Sequence, residues 1–323
     1  MSIYGSAPGI RKQIFSLIDR LQLLEGEQYI LVDSPGRYIS RITLNRPDKR
    51  NCMNHEIRAQ LFNQLQINDQ DPDVRVTIIR GAGTCFCSGY DLAMNKSLPM
   101  PMFEAEGDGQ FQRNVLAGWF GLMDMAKPII AQVHGYCLAG GTELAAACDL
   151  VYVSENAKIG YPPVKAMGLP DTQIFPWLMG MRASMEIMLT GDSMTGQQAV
   201  ETGWANQVFP DYQLEEEVLN IAQRVAKIPS DLNAFNKRSV HRAMEAMGMR
   251  NALRSGTDLQ ALSFHASSSR QFMKGFQGKG SHGEMFKILT PVDDDNIRAE
   301  VSDDLHPEDP DVEENDSSME SRL

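Results

Sequence analysis

Short apolar runs alternate with longer segments of helical spacing over most of this chain of 323 residues. Runs rich in apolar and β-branched residues predict buried strands at 74–79, 128–133 and 150–153. Two partly alternating runs, 29–32 and 38–44, are joined by a Ser-Pro-Gly turn and predict a hairpin. These strand signals cluster in the first half of the chain.

Helical spacing separates the predicted strands and then dominates the C-terminal part. It predicts helices at 10–23, 54–65, 111–125 and 175–189, and then at 214–227, 231–246 and 250–276. Asn54 is the expected N-cap of the second helix, and Thr195 that of a short helix from 199 to 203. Residues 204–208 suit a short strand between these blocks. The pattern therefore predicts an α/β core followed by a helical region.

This pattern divides the chain into four predicted parts. Residues 1–26 form a helical extension, 27–210 the α/β core, 211–287 a helical region, and 288–323 a disordered tail. The tail is acidic. Residues 292–323 contain 13 of the 42 acidic residues and two of the 30 Lys and Arg residues, which leaves 29 acidic and 28 basic residues elsewhere. A nearly neutral body carries an acidic tail.

Charge and hydropathy exclude several classes of function. No basic stripe indicates a nucleic-acid partner, and no apolar run is long enough to span a membrane. The N-terminus lacks the apolar core of a signal peptide. The five cysteines are expected to be reduced, and Cys85-x-Cys87 has no second Cys or His pair at ligand spacing. We therefore predict no metal site.

The candidate chemistry lies in the stretch from His134 to Leu144. A predicted strand runs into glycines at Gly140 and Gly141, and a predicted helix follows with Glu143 in its first turn. Free N–H groups at a helix start stabilise developing negative charge, and an adjacent carboxylate suits acid–base work on a carbonyl compound. A Glu that only favours the helix dipole is the alternative.

A second glycine loop follows the predicted strand at 74–79. It begins at Gly81-Ala82-Gly83 and continues through the stretch from Phe86 to Leu92. Such a loop is placed to present a further backbone N–H to the same site.

Four motifs in this order resemble the crotonase family, the enoyl-CoA hydratase/isomerase superfamily, over roughly residues 27–276. They are Leu44-Asn45-Arg46-Pro47 with Asn51 and Asn54, Phe86-x-x-Gly89-Tyr90-Asp91-Leu92, His134-Gly135-Tyr136 through Gly140-Gly141-x-Glu143 to Cys148-Asp149, and Leu189-Thr190-Gly191-Asp192 with Ala199 and Gly203. The resemblance implies an α/β fold, a spiral of ββα units with a C-terminal helical region. It also implies a homotrimer or a dimer of trimers.

The resemblance implies an acyl-coenzyme A thioester as the substrate, with coenzyme A as its carrier and no other cofactor. By motif position, the N–H groups of Tyr90 and Gly140 form the oxyanion hole that holds the thioester oxygen as an enolate develops. Lys49 and Arg50 lie in the loop that resembles the family's nucleotide-contacting loop, and Lys274 in its C-terminal helical region. These three cations are expected to bind coenzyme A.

The chain departs from the family pattern at its second catalytic position. Glu143 matches the first glutamate of the hydratases, but Pro163 occupies the position of the second. Asp171, eight residues further on, matches an aspartate that works as an acid or base in dienoyl-CoA isomerases and as the nucleophile in aryl-CoA dehalogenases. Residues 103–127 lack the His that the dehalogenases use. Asp171 is therefore the expected second carboxylate, and a helix N-cap is its alternative.

These residues predict an acyl-CoA lyase that hydrates an enoyl-CoA or dehydrates the hydroxyacyl form. Double-bond isomerisation, hydrolysis, and an acyl-CoA-binding subunit without turnover remain alternatives. Met94, Met100, Met102, Phe103 and Trp119 suit either an acyl pocket or the core. The expected location is the cytoplasm, or the peroxisome in a eukaryote, because Ser321-Arg322-Leu323 resembles a peroxisomal signal.

Overall fold

The chain forms two sheets surrounded by helices. The computed structural model describes residues 27–91 and 109–277. The strands are β1 (Ile30–Gly36), β2 (Ile39–Leu44), β3 (Val76–Gly81), β4 (Ile129–Val133), β5 (Tyr136–Leu138), β6 (Leu150–Ser154), β7 (Lys158–Gly160), β8 (Ser193–Thr195) and β9 (Gln207–Phe209). The helices are α1 (His55–Gln70), α2 (Gln110–Met123), α3 (Gly140–Ala147), α4 (Phe175–Thr190), α5 (Gly196–Glu201), α6 (Asp211–Ala226), α7 (Ser230–Ala246), α8 (Met249–Ser263) and α9 (Ser267–Gln277).

The larger sheet has the order β1-β2-β3-β4-β6-β9. Only β1 and β2 pair antiparallel, as the predicted hairpin, and every later pair is parallel. Parallel neighbours need crossover connections, which the helices between the strands supply. The smaller sheet, β5-β7-β8, lies beside the start of α3. The predicted α/β class is confirmed.

Helices cover both faces of the larger sheet. Alternate side chains of β3 enter separate cores, with Ile79 in the larger one and Ile78 in the smaller one. The smaller core is closed by α6 through Leu214, Val218 and Ile221. The larger core contains the buried faces of α1, α2 and α3. Burial on both faces explains why these strands are continuously apolar in the sequence.

Most predicted elements are confirmed, with shifted ends. Asn54 caps α1, because its side chain accepts a hydrogen bond from the N–H of Ile57 at 2.9 Å. Thr195 caps α5 in a capping box. The single helix predicted over 250–276 is wrong: α8 ends at Ser263, and α9 starts after the buried Phe264. The three-residue strands of the smaller sheet were missed because they are too short for a periodic signal.

Several predictions lie outside the described residues. They are the helix at 10–23, the methionines at 94, 100 and 102 with Phe103, the acidic tail, and the C-terminal tripeptide. The division of the chain at residue 210 also stays a prediction. Among the helices that the structure describes, none is both long and apolar enough to cross a membrane. All five cysteines are free thiols, and four of them are buried.

Asn51 joins the two loops that precede the site. Its side chain is fully buried and donates to the carbonyl oxygens of Ala82 and Cys85, each at 2.8 Å. Its own oxygen accepts from the N–H of Arg46 at 2.9 Å. A single amide therefore satisfies three backbone groups from two segments, which explains its place in the motif.

We expect Asn51→Ala to lower the free energy of unfolding by about 2–4 kcal/mol, because it leaves buried backbone groups without partners. Urea unfolding followed by circular dichroism measures this loss. Asn220→Ala, at an exposed position of α6, is the matched control and should change stability by less than about 0.5 kcal/mol. Equal stabilities of the two variants would contradict the role given to Asn51.

Candidate active site

Glu143 stands in the first turn of α3, a helix whose eight residues are all buried. Only 1% of its surface is exposed. The helix begins at Gly140 directly after β5, and the N–H of Ala139 bonds to the carbonyl of Gly160 in β7 at 3.0 Å. The smaller sheet thus fixes the helix start, and the helix start fixes the carboxylate.

At least three donors, from three segments, hold the carboxylate of Glu143. The Tyr90 hydroxyl donates to Oε2 at 2.6 Å, and Nε1 of Trp119 in α2 donates to the same oxygen at 3.3 Å. The N–H of Thr172 donates to Oε1 at 3.1 Å. Buried carboxylates need such partners, and these three also fix the orientation of the group.

The loop that carries Tyr90 is bonded on both sides. The N–H of Cys87 donates to the carbonyl of Tyr136 in β5 at 3.0 Å, and Met53 N–H donates to the carbonyl of Gly89 at 2.7 Å. Just after Tyr90, Asp91 pairs with Arg46 at 2.9 Å. Arg46 and Asp91 both belong to motifs of the resemblance, and their ion pair helps to position this loop.

The backbone N–H groups of Tyr90 and Gly140 lie where the two glycine loops meet. A Cβ placed on Gly89 would stand 3.4 Å from the nitrogen of Gly140. Gly141 leaves no room for a side chain, because a Cβ there would overlap the carbonyl oxygen of Cys87. Among the described residues, none accepts a hydrogen bond from either Tyr90 N–H or Gly140 N–H. Both groups can therefore bind a ligand oxygen.

Asp171 is buried beside Glu143. The charge of Glu143 acts on Asp171, and the charge of Asp171 acts on Tyr90 and Tyr161, so its carboxyl faces the same cluster. Its carbonyl accepts from the Thr257 hydroxyl at 2.6 Å, which ties this loop to α8. The alternative of an N-cap is wrong: α4 begins at Phe175 after Ile174, and no side chain caps it.

Burial raises the pKa of both carboxyls. Loss of solvent is the main cause, and it raises the pKa of Glu143 to about 7 although Tyr90, Thr172 and Trp119 favour its charged form. The pKa of Asp171 is raised well above its usual value by burial and then by the charge of Glu143, whereas Arg58 lowers it. Two adjacent buried carboxyls do not both ionise at neutral pH. The pair therefore combines one carboxylate with one neutral acid.

The three cations expected to bind coenzyme A belong to two separate parts of the chain. Lys49 and Arg50 are exposed, and the Arg50 carbonyl accepts from the N–H of Ser88, two residues before Tyr90. Lys274 belongs to α9, in the part of that helix whose side chains lie outside the described ones. Pro163 sits in a short turn of 3-10 helix, Pro162–Lys165, and supplies no proton-transfer group.

Sequence reasoning missed four participants in the site. Trp119 was expected only in a pocket or the core, and Arg58, Tyr161 and Thr172 carried no signal. Their roles depend on contacts between distant segments, which spacing along the chain does not report. A ring nitrogen of His134 lies 3.0 Å from the carbonyl oxygen of Gly83. In the part of the chain that the structure describes, no group of three or more His, Cys, Asp or Glu residues is arranged for a metal ion.

Known proteins are similar to this chain in sequence and in architecture. The family model described as "Enoyl-CoA hydratase/isomerase" matches residues 36–283. A mitochondrial enoyl-CoA hydratase of Pongo abelii is 30% identical over 68% of this chain and 74% of its own length. The 2,3-dehydroadipyl-CoA hydratase of Escherichia coli K12 is 33% identical over 61% of this chain and 76% of its own. A crystal structure of enoyl-CoA hydratase from Mycobacterium smegmatis superposes with a TM-score of 0.72 at 26% identity, covering 79% of this chain and 91% of that one.

Ala139 stores strain at the helix start. It adopts φ 50° and ψ −124°, a conformation that favours glycine. We expect Ala139→Gly to raise the free energy of unfolding by about 1 kcal/mol, as measured by urea unfolding. Ala243→Gly in the exposed part of α7 is the matched control and should lower it by about 1 kcal/mol. A loss of stability in both variants would contradict the strain at Ala139.

The raised pKa of Glu143 has a consequence for stability. The folded state keeps a proton that the unfolded state releases above about pH 4.5, so stability falls as pH rises from there through about 7. We expect Glu143→Gln to be more stable than the wild type at pH 8 by about 3 kcal/mol, and nearly equal to it at pH 4.5.

Urea unfolding at the two pH values measures this difference. The exposed Glu216 in α6 provides the control, because Glu216→Gln should show no such pH-dependent gain. If the free energy of unfolding of the wild type rose with pH relative to that of Glu143→Gln, the folded state would favour the charged carboxylate, and the prediction would be wrong.

Proposed function

Because the chain belongs to the enoyl-CoA hydratase/isomerase family, we propose that it adds water to an enoyl-CoA thioester or removes it in reverse. The observation that carries this proposal is the buried pair of Glu143 and Asp171, together with the N–H groups of Tyr90 and Gly140, which have no acceptor among the described residues. Water addition needs a base, an acid and a group that stabilises the enolate. The site offers all three.

In this proposal the thioester oxygen accepts hydrogen bonds from the N–H groups of Tyr90 and Gly140. As water attacks C3, electrons move from the C2=C3 bond to that oxygen and form an enolate. Gly140 is the first residue of α3, so the positive end of the helix dipole adds to the field at this oxygen. The donors are fixed before the reaction begins, which is what makes such a site effective.

The two carboxyls then divide the proton transfers. Glu143, with a pKa of about 7, is substantially ionised at neutral pH and takes the proton of the attacking water. Asp171, whose pKa is raised further by that neighbouring charge, keeps its proton and delivers it to C2. Oxygen ends on C3 and hydrogen on C2, with one proton moved from Asp171 to Glu143 overall. Asp171 thereby replaces the second glutamate of the family, whose position Pro163 occupies in this chain.

Coenzyme A is proposed to lie across the loop of Lys49 and Arg50, with Lys274 as a further contact and no other cofactor. The bond between the Arg50 carbonyl and the N–H of Ser88 supports this, because it joins that loop to the loop of Tyr90. Guanidinium and ammonium groups suit the phosphates of the carrier.

A homotrimer or dimer of trimers is proposed for the assembly. An exposed apolar stripe on α4, formed by Met181, Met185 and Leu189 at intervals of four residues, supports a subunit contact. The cellular address, cytoplasmic or peroxisomal, stays a prediction from the sequence.

Double-bond isomerisation is the second candidate, and the proline at position 163 favours it. A single carboxylate such as Glu143 can remove a proton and return it elsewhere, which requires no second acid. The two reactions give products that differ by one water molecule, so a product assay separates them.

We expect the wild type to turn over a panel of short, long and aryl enoyl-CoA thioesters in deuterated water, with net water addition read by NMR and mass spectrometry. Glu143→Gln and Asp171→Asn should each lower kcat by about 10²–10⁴-fold, because each removes a proton-transfer group. Asp192→Asn, at an exposed site beside α4, is the control and should retain full activity.

Other outcomes redirect the proposal. A shifted double bond without added water would assign isomerisation, and loss of activity only in Glu143→Gln would remove Asp171 from the mechanism. A free acid and free coenzyme A would indicate hydrolysis. Binding without product or deuterium exchange would leave an acyl-CoA-binding subunit.

A further inference from the structure

The side chain of Tyr90 is more closely involved in the site than its motif implies. The resemblance gives Tyr90 only a backbone N–H, yet its phenol hydroxyl makes the shortest hydrogen bond to Glu143, at 2.6 Å to Oε2. Trp119 donates to the same oxygen at 3.3 Å. Oε2 therefore has both of its usual acceptor directions occupied by side chains.

The ring of Tyr90 is held on three sides. It stands edge-on to Phe111 in α2, with centroids 6.1 Å apart and planes at 76°. The guanidinium of Arg58 in α1 lies 5.8 Å from the ring centroid. On the third side is Gly140, where a Cβ would come within 2.6 Å of the ring. The absence of a side chain at Gly140 thus makes room for the phenol.

The phenol is suited to donate a hydrogen bond without losing its proton. Burial, followed by the charges of Glu143 and Asp171, raises the pKa of Tyr90 well above its usual value. The hydroxyl therefore stays protonated at neutral pH and favours the ionised form of Glu143. The other groups facing Glu143 are Asp171 and Tyr161, while Arg58 acts on Tyr90 and Asp171.

We propose that Tyr90 is a positioning residue whose hydroxyl orients the carboxylate of Glu143 through the 2.6 Å hydrogen bond, while its own backbone N–H faces the thioester oxygen. This inference rests on the proposed hydratase function. One residue then links the oxyanion hole to the general base, so that the distance between the two depends on a single ring. The edge-on contact with Phe111 and the cation–π contact with Arg58 hold that ring in place.

The test compares Tyr90→Phe with the wild type over the pH range 5–9, with enoyl-CoA as substrate. Loss of a hydrogen bond to a charged group should lower kcat at pH 7 by about tenfold and leave KM within about twofold. The acid limb of the kcat/KM profile should move upward by about one pH unit, because Glu143 loses a donor that favours its charge. Activity should largely return at pH 9.

Two further variants show whether the shift is specific to the donors of Glu143. Tyr152→Phe removes a buried phenol from the opposite core, where Tyr152 packs against Phe209, and should leave the profile unchanged. Trp119→Phe removes the longer bond to the same oxygen and should shift the acid limb in the same direction by a smaller amount.

The outcomes separate this inference from the proposed function. A wild type without turnover would reject the function on which the inference rests. An active wild type with an unchanged acid limb in Tyr90→Phe would overturn the inference alone. A loss of kcat that is equal at every pH, accompanied by a lower Tm, would assign the ring to packing and would also overturn it.

Discussion

The burial of Glu143 is the constraint on which the rest of the site depends. A carboxylate removed from water is unstable unless donors replace its hydration, and here the donors come from Tyr90, Trp119 and the N–H of Thr172. These residues belong to segments that are far apart in the chain. Keeping them together requires the smaller sheet to hold α3, the paired glycine loops to hold Tyr90, and α8 to hold the loop of Asp171.

Several motif residues serve this arrangement without touching the candidate substrate position. Asn51 joins the two loops before the site, and the pair of Arg46 and Asp91 fixes the loop after Tyr90. Asp149 accepts hydrogen bonds from the N–H of Ile129 and from Lys237 of α7, each at 2.8 Å. These polar groups are satisfied by backbone groups or by an oppositely charged side chain, and this makes them part of the architecture.

The sequence predicts elements whose signal is local and misses those whose signal is not. The hairpin, the cap at Asn54 and the helix with Glu143 in its first turn follow from periodicity and side-chain chemistry within a few residues. The smaller sheet escaped because its strands have three residues each, and the broken helix after Ser263 escaped because apolar spacing continues through the break. In the candidate site, Glu143 and Asp171 were singled out from the sequence and lie together in the structure, but Trp119 and Arg58 were not assigned their contacts, since those contacts exist only after distant segments pack.

The second carboxylate can come from Asp171, eight residues after the family's usual position at Pro163, because proton transfer depends on position in space and not on position in the sequence. The loop after Pro163 returns to the site, where Thr172 N–H bonds to Glu143, and this places Asp171 next to Glu143. Proximity also sets the protonation states: an ionised Glu143 raises the pKa of Asp171, so Asp171 keeps its proton as long as Glu143 is charged. In the proposed mechanism, the electrostatic coupling that makes one member the base therefore makes the other the acid, whichever segment of the chain supplies it.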